Sequence, residues 1–226
     1  MIEFVEREEV KKPEYSFRVK LYSQSRFGYP EEIELKPMTL WDLKLLSQSS
    51  STSQLYFRKL KEVVQSKIIT PGVSVEDLTN QDFTHILIGL RLNSVGDDYE
   101  VTIPCPDCGG RFNRTYYLSK LPVKELPESA QPTKEILGYT AHFPRVKDYD
   151  KVWEIEDPAD FILVMTMIAL GIKEEDLDKY PIRLVREVSE WLKESDYGYD
   201  LTKEEECPHC GGRVEFQLPF LVDFWI

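Results

Sequence analysis

One short motif is written twice in this chain, as Cys105-Pro-Asp-Cys108-Gly-Gly-Arg111 and as Cys207-Pro-His-Cys210-Gly-Gly-Arg213. A spacing of two residues lets both sulfurs of a pair turn toward one point. The Pro presets φ in the turn, and the glycines after the second Cys admit positive φ and let backbone amides approach the sulfurs. Cys105, Cys108, Cys207 and Cys210 together supply four thiolates, the shell of tetrahedral zinc with no position left open, so the metal is expected to hold structure rather than to catalyse. Rubredoxin-type iron takes the same four ligands, and the sequence does not separate the two metals. Free or disulfide-paired cysteines are the plain alternative, and two tight pairs in a chain without a secretory signal favour metal. A thioredoxin-type redox role would need a pair that opens a helix after a buried strand, which neither pair does.

Both motifs run into strand-like segments, Arg111 to Leu118 and Arg213 to Leu218, as a zinc ribbon requires. A compact ribbon separates its pairs by about 15–20 residues. Here 98 residues lie between Cys108 and Cys207. The segment Val123 to Glu206 therefore reads as an insertion whose ends the metal clamps, and metal loss should loosen this half first.

The N-terminal part alternates apolar and polar residues in Phe17-Val19-Leu21 and in Ile33-Leu35, which predicts an antiparallel pair around the turn-rich Ser23 to Pro30. Three helices follow. Thr39 and Asp42 make a capping box before Leu40, Leu43 and Leu46. A polar run from Ser47 to Ser53 is a loop or a frayed end, and Gln54 to Ile69 then places Leu55, Leu60, Val63, Val64 and Ile68 at helical spacing, ended by Pro71-Gly72. A second capping box, Thr79 and Asp82, precedes Phe83, Ile86, Leu87 and Leu90. A strand from Tyr99 to Ile103 leads into the first cysteine pair. Prolines 122, 127 and 132 suggest an extended linker, and Tyr139 to Phe143 a short strand. Asp157-Pro158 starts a helix that Gly171 closes, and Pro181 to Glu194 forms the last one. The expected class is α+β: N-terminal antiparallel strands and helices, then a zinc-ribbon-like knuckle pair with a helical insertion. The expected division is 1–120, ending in the first knuckle, then 121–206, the helical insertion, then 207–226, the second knuckle and C-terminal tail.

Charge and composition exclude several functions. The chain carries 40 acidic against 28 basic residues, a net charge of −12, and shows no basic block, which argues against direct nucleic-acid binding. The Glu-rich Met1 to Val10 predicts no secretory signal. The longest apolar run, Phe161 to Leu170, is broken only by Thr166. As a helix it reaches about 15 Å, half a bilayer core, so a buried helix is expected and not a membrane span. No serine-elbow, zincin or phosphate-loop motif is present. His85 and His142 read as structural. His209, inside a knuckle, is either a second-shell donor to the site or a tolerated turn residue. Glu174, Glu175, Asp176 and Asp178 read as a solvated loop. The last nine residues are strongly apolar. Either they plug the core, or Phe220, Phe224 and Trp225 anchor a partner.

Several segments in order resemble the baseplate hub assembly protein family of contractile-tailed, T-even-type bacteriophages. They are Leu35-x-Pro37-Met38-Thr39-Leu40-x-Asp42-Leu43-Lys44-Leu45-Leu46, then Asp77-Leu78-x-x-x-Asp82-x-x-x-x-Leu87, then Leu90-Arg91-x-x-Ser94-x-Gly96-x-x-Tyr99-x-Val101, ending in Cys105-Pro106-x-Cys108. The resemblance covers about residues 15 to 120. It implies a non-enzymatic component of the virion tail baseplate, assembled in the host cytoplasm. Its partners would be other baseplate and hub proteins, with no nucleic acid, membrane or small-molecule substrate. Two other classes stand beside it: a zinc-ribbon adaptor contacting the transcription or nucleic-acid machinery, and an enzyme housed in the insertion, which would need a deep pocket with converging polar groups.

Overall fold

A computed structural model describes residues 15–48, 53–152, 155 and 157–226; the Met1 to Val10 segment and most of the polar run 47–53 lie outside the described residues. The first strands pair as expected, β1 (Phe17–Lys20) antiparallel to β2 (Glu32–Leu35) with Val19 opposite Ile33. Alternation puts Phe17, Val19, Ile33 and Leu35 on one buried face.

Helix α1 (Leu40–Gln48) starts at the predicted box: the Thr39 amide donates to Asp42 Oδ2 at 2.7 Å, and Asp42 N donates back to Thr39 Oγ1. Helix α2 (Ser53–Lys67) buries Tyr56, Phe57, Leu60, Val63 and Val64. Leu55, expected on that face, is exposed instead, because it precedes Tyr56 by one 100° step. The helix also stops at Lys67, earlier than expected. Ile68 leaves it to bridge Leu35, with Lys36 N donating to Lys67 O and Ile69 N to Glu34 O. The Lys67 ammonium pairs with Asp42 at 2.5 Å, and the two charges, nearly enclosed, tie the start of α1 to the end of α2.

Helix α3 (Asn80–Ser94) runs through the middle and is buried on most sides, including Phe83, Ile86, Leu87, Ile88 and Leu90. Gly89 is required by close approach: a Cβ there would stand 2.7 Å from Val19 Cγ2. Its capping box is half-made. Thr79 Oγ1 accepts from Asp82 N, but the buried Asp82 carboxylate accepts from Tyr29 Oη at 2.6 Å and from Ser23 N at 3.2 Å, while Thr79 N donates to Tyr29 Oη.

The remaining strands form four more two-stranded antiparallel sheets. β3 (Asp98–Pro104) pairs with β4 (Arg111–Tyr117). β5 (Val123–Lys124) is followed by the hairpin of β6 (Thr133–Ile136) and β7 (Tyr139–His142), then by α4 (Pro158–Leu170) and α5 (Arg183–Glu194). β8 (Gly198–Tyr199) returns to pair with β5, and β9 (Thr202–Glu206) pairs with β10 (Arg213–Gln217). Helix α4 carries the predicted caps, Asp157 accepting from Ala159 N and Asp160 N, and Gly171 in the left-handed region at φ 65°. Residues 121–206 are thus mixed, not helical alone, and the charged Glu204 to Glu206 is a strand. The proline-bearing 121–132 segment is packed: Arg26 donates to the Pro127 and Ala130 carbonyls, and Ala130 is buried. One cluster of buried apolar side chains draws on residues before 120, between 121 and 206, and after 207. Among the described residues, no helix is long and apolar enough to cross a membrane.

The C-terminal aromatics take the core-plug place. Phe224 and Trp225 are buried in a 3-10 turn, Val222–Trp225, and Phe220 is half-buried. Phe224 meets Tyr99 edge-on at 5.1 Å, and Trp225 Nε1 donates to Tyr56 Oη at 3.2 Å. The buried Arg91 guanidinium stacks on both Tyr99 and Phe224 at 5.5 Å and donates to the carbonyls of Asp98 and Ile226. Of the two places expected for them, Phe224 and Trp225 take the buried one. Truncating Phe224 to Ala should therefore cost about 3–5 kcal/mol of stability, read as a lowered urea midpoint; a loss under about 1 kcal/mol would mean the tail is not core.

His85 stacks on Tyr22 at 4.1 Å, with Tyr199 edge-on beside it, and burial lowers its pKa to about 4. The unfolded chain takes up this proton near pH 6.5 and the folded one near pH 4, so stability is full above about 6.5 and falls as the pH drops through that window, by at most about 1.4 kcal/mol per unit. Replacing His85 by Phe should remove this pH dependence, so the wild-type-minus-variant stability should fall as the pH drops from about 6.5 to about 4, measured by denaturant unfolding.

Candidate metal centre

Each cysteine pair sits at the tip of a hairpin, between β3 and β4 and between β9 and β10. Because the two sequences repeat, the two turns close alike. Cys105 N donates to Gly110 O at 2.8 Å and Gly109 N to Cys105 O at 2.9 Å; Cys207 with Gly212 and Gly211 makes the same bonds at the same lengths. Gly109 and Gly211 take φ 69° and 74°, where a side chain would be strained.

The two tips face each other with crossed pairing. Cys105 Sγ lies 3.7 Å from Cys210 Sγ, and Cys108 Sγ lies 3.8 Å from Cys207 Sγ. All four sulfurs fall within 4.8 Å of one another. A tetrahedral thiolate site with ion–sulfur bonds of about 2.3 Å has edges of about 3.8 Å, so these residues are placed to hold a single ion. Among the described residues, no other group of His, Cys, Asp or Glu side chains converges in this way. The structure thus brings together all four predicted ligands across 98 residues of chain.

The thiols are unevenly poised. Burial opposes ionisation of Cys207, but the amides of His209 and Cys210 outweigh it and bring its pKa down to about 7. The Gly212 amide pulls Cys210 down, yet the crowding sulfurs of Cys108, Cys105 and Cys207 push it up to about 12. Four thiols packed this closely cannot all ionise without a cation among them.

The middle residue of each knuckle lies over the other knuckle. A Cβ on Gly110 would stand 2.8 Å from the His209 ring, and one on Gly212 would stand 2.2 Å from Asp107 Oδ2. His209 Nε2 also donates to the Arg111 carbonyl at 3.2 Å, so it locks one knuckle to the other. The sequence carries no sign of the partnership of Asp107 with Gly212, because tertiary approach decides which knuckle covers which. Behind the tips, Arg114 Nε donates to Glu205 at 2.9 Å and Tyr116 Oη to the same carboxylate at 2.7 Å, joining β4 to β9. Neither residue stood out in the sequence, because an Arg and a Glu 91 positions apart leave no local signal. His142 lies exposed on β7, opposite Thr133. The acidic 174–179 segment is a 3-10 turn with no buried residue.

A family model described as T4 bacteriophage base plate protein matches residues 12–224. No curated protein and no solved structure matches. The matched range contains both knuckles and the whole of 121–206, which the resemblance over residues 15–120 did not reach.

The close approach at Gly110 gives a direct test of the crossed packing. Gly110→Ala should destabilise the metal-loaded chain by about 1–3 kcal/mol through overpacking on the His209 ring, and His209→Ala in the same chain should return much of that loss. Additive effects in thermal melts would show that the two do not touch.

Proposed function

Because the chain belongs to the T4 bacteriophage base plate protein family, we propose that it is a non-enzymatic structural component of a contractile phage tail baseplate, stapled by one zinc ion. The observation that carries the first half is the family match over residues 12–224. In this reading the protein works in the virion tail, is assembled in the host cytoplasm, and acts through contacts with other baseplate and hub subunits. A net charge of −12 fits protein contacts better than a phosphate backbone.

The second half rests on the sulfur geometry. Cys105, Cys108, Cys207 and Cys210 would be the ligands, and four thiolates leave a d10 ion no position for water or substrate. Zinc would supply binding energy for folding and no chemistry on a substrate. The division into 1–120, an inserted 121–206 and a closing 207–226 goes with this role. The β5–β8 pairing also closes the inserted segment, so metal loss should free the β9–β10 hairpin before it opens residues 125–197.

Elemental analysis of protein purified without chelator should give about one zinc per chain; iron, or no metal, would overturn the assignment. Cys207→Ser should cost several kcal/mol, and chelation should expose the 202–217 hairpin to protease first. Co-expression with neighbouring tail subunits tests the assembly role: a folded, metal-loaded chain that joins none of them would refute it.

A further inference from the structure

Helix α1 begins with two bulky apolar residues outside. Leu40 is 87% and Trp41 61% exposed, although the capping box and the Asp42–Lys67 pair hold this turn firmly in place. Both residues belong to a wider apolar patch. The Met38 amide donates to Ser94 Oγ, which brings exposed Val95 alongside. The 222–225 turn packs on α1, and its flanks, Leu221 and Ile226, are 50% and 72% exposed. One guanidinium, that of Arg91, holds the carbonyls of both Ile226 and Asp98. Three remote stretches of chain, each with exposed apolar side chains, thus meet in one neighbourhood of the fold. Such a patch marks an interaction surface, and an exposed Trp is the usual anchor in one.

The charges around it differ by side. On the α1 side stand Lys36 and Lys44, both exposed and, among the described residues, without a carboxylate partner; Lys44 lies 5.1 Å over the Trp41 ring. On the tail side stand exposed Asp223, which makes no salt bridge among the described residues, and exposed Asp98, whose charge also acts on Arg91. A patch basic at one end and acidic at the other is complementary to itself under a two-fold axis, which sets the lysines of one copy on the aspartates of the next.

We infer that a second copy of this chain docks on the patch of Leu40, Trp41, Val95, Leu221 and Ile226, forming a two-fold dimer. The charge of −12 per copy opposes the pairing, but at about 0.15 M salt charges farther apart than about 8 Å are largely screened, and the two rims act at shorter range. The pairing stands or falls separately from the baseplate role, since a monomer could still join a tail through another surface.

Sedimentation equilibrium of the full, metal-loaded chain tests it. The wild type should reach the mass of two chains at micromolar to tens-of-micromolar concentration. Leu40→Ser with Trp41→Ser should weaken the dimer at least about tenfold while leaving the thermal melt unchanged, because both side chains are outside the core. Lys44→Glu and Asp223→Lys should each weaken it, and the two together in one chain should restore it, since the rims have then exchanged sign. A wild type that stays monomeric would overturn the inference, as would a dimer indifferent to the Leu40 and Trp41 changes. A dimer in which the charge reversal gives no recovery would overturn the two-fold geometry. A heterologous subunit that binds this face of a monomeric wild type would reassign the patch to that partner.

Discussion

Bringing residue 105 against residue 210 is the constraint on which the rest of this fold hangs. Closing a loop of 98 residues costs about 4 kcal/mol in chain entropy, and two small hairpins with few apolar residues at their tips cannot offset that alone. A structural zinc of the kind proposed contributes about 10–16 kcal/mol when it binds, enough to fix the tips and leave a surplus. Such a surplus would account for the otherwise unpromising sequence of β9. Thr202-Lys-Glu-Glu-Glu206 has no apolar alternation and sets three like charges in a row, yet it pairs in register with β10 along its length. Arg114 offsets one of the glutamates and Arg213 another. The backbone is delivered by the knuckle, and the side chains have only to avoid preventing it.

A second closure, polar and deeper, holds the inserted segment against the N-terminal half. Asp82 is fully buried and, among the described residues, has no Lys or Arg bonded to it. A carboxylate so placed is costly unless hydrogen bonds replace its water. Tyr29, Ser23 and Thr79 supply them, and Tyr197 joins through Thr79 Oγ1 at 2.7 Å. The turn after β1, the start of α3 and the end of the inserted segment therefore share one network. Removing any single donor would strand a buried polar group, which costs more than the bond itself contributes. This network thus pins the base of 121–206, and a metal among the four sulfurs would pin the tips.

What the sequence made legible follows from how local each signal was. The knuckles, the β1–β2 alternation, the Thr39 box and the Asp157–Gly171 caps all lie within a few residues of what they specify, and each stands where it was expected. Asp82 was assigned to a local cap because three-residue spacing suggests one, whereas its partners Ser23 and Tyr29 lie more than fifty residues away. The stretch 121–132 looked like a linker because prolines break regular structure, but irregular backbone can still pack, as the Arg26 bonds to Pro127 and Ala130 demonstrate. Within the metal site the four ligands were legible and the crossed packing of Asp107 and His209 was not, since which knuckle covers which is a matter of tertiary approach.

The tail illustrates how one buried charge decides between two readings of the same apolar residues. Arg91 sits on α3 at a position where its guanidinium is nearly out of water, and burial lowers its pKa. It needs acceptors and polarizable faces there, and it finds them in the Asp98 and Ile226 carbonyls and in the rings of Tyr99 and Phe224. Phe224 turns inward to meet that demand, and Trp225 beside it turns inward to donate to Tyr56. By turning inward they fix the backbone on either side, so Leu221 and Ile226 are carried outward on a held frame instead of a frayed end. A surface presented this way loses little conformational entropy when something binds to it. Phe224 and Trp225 would therefore serve the proposed interface indirectly, by making the neighbouring residues rigid.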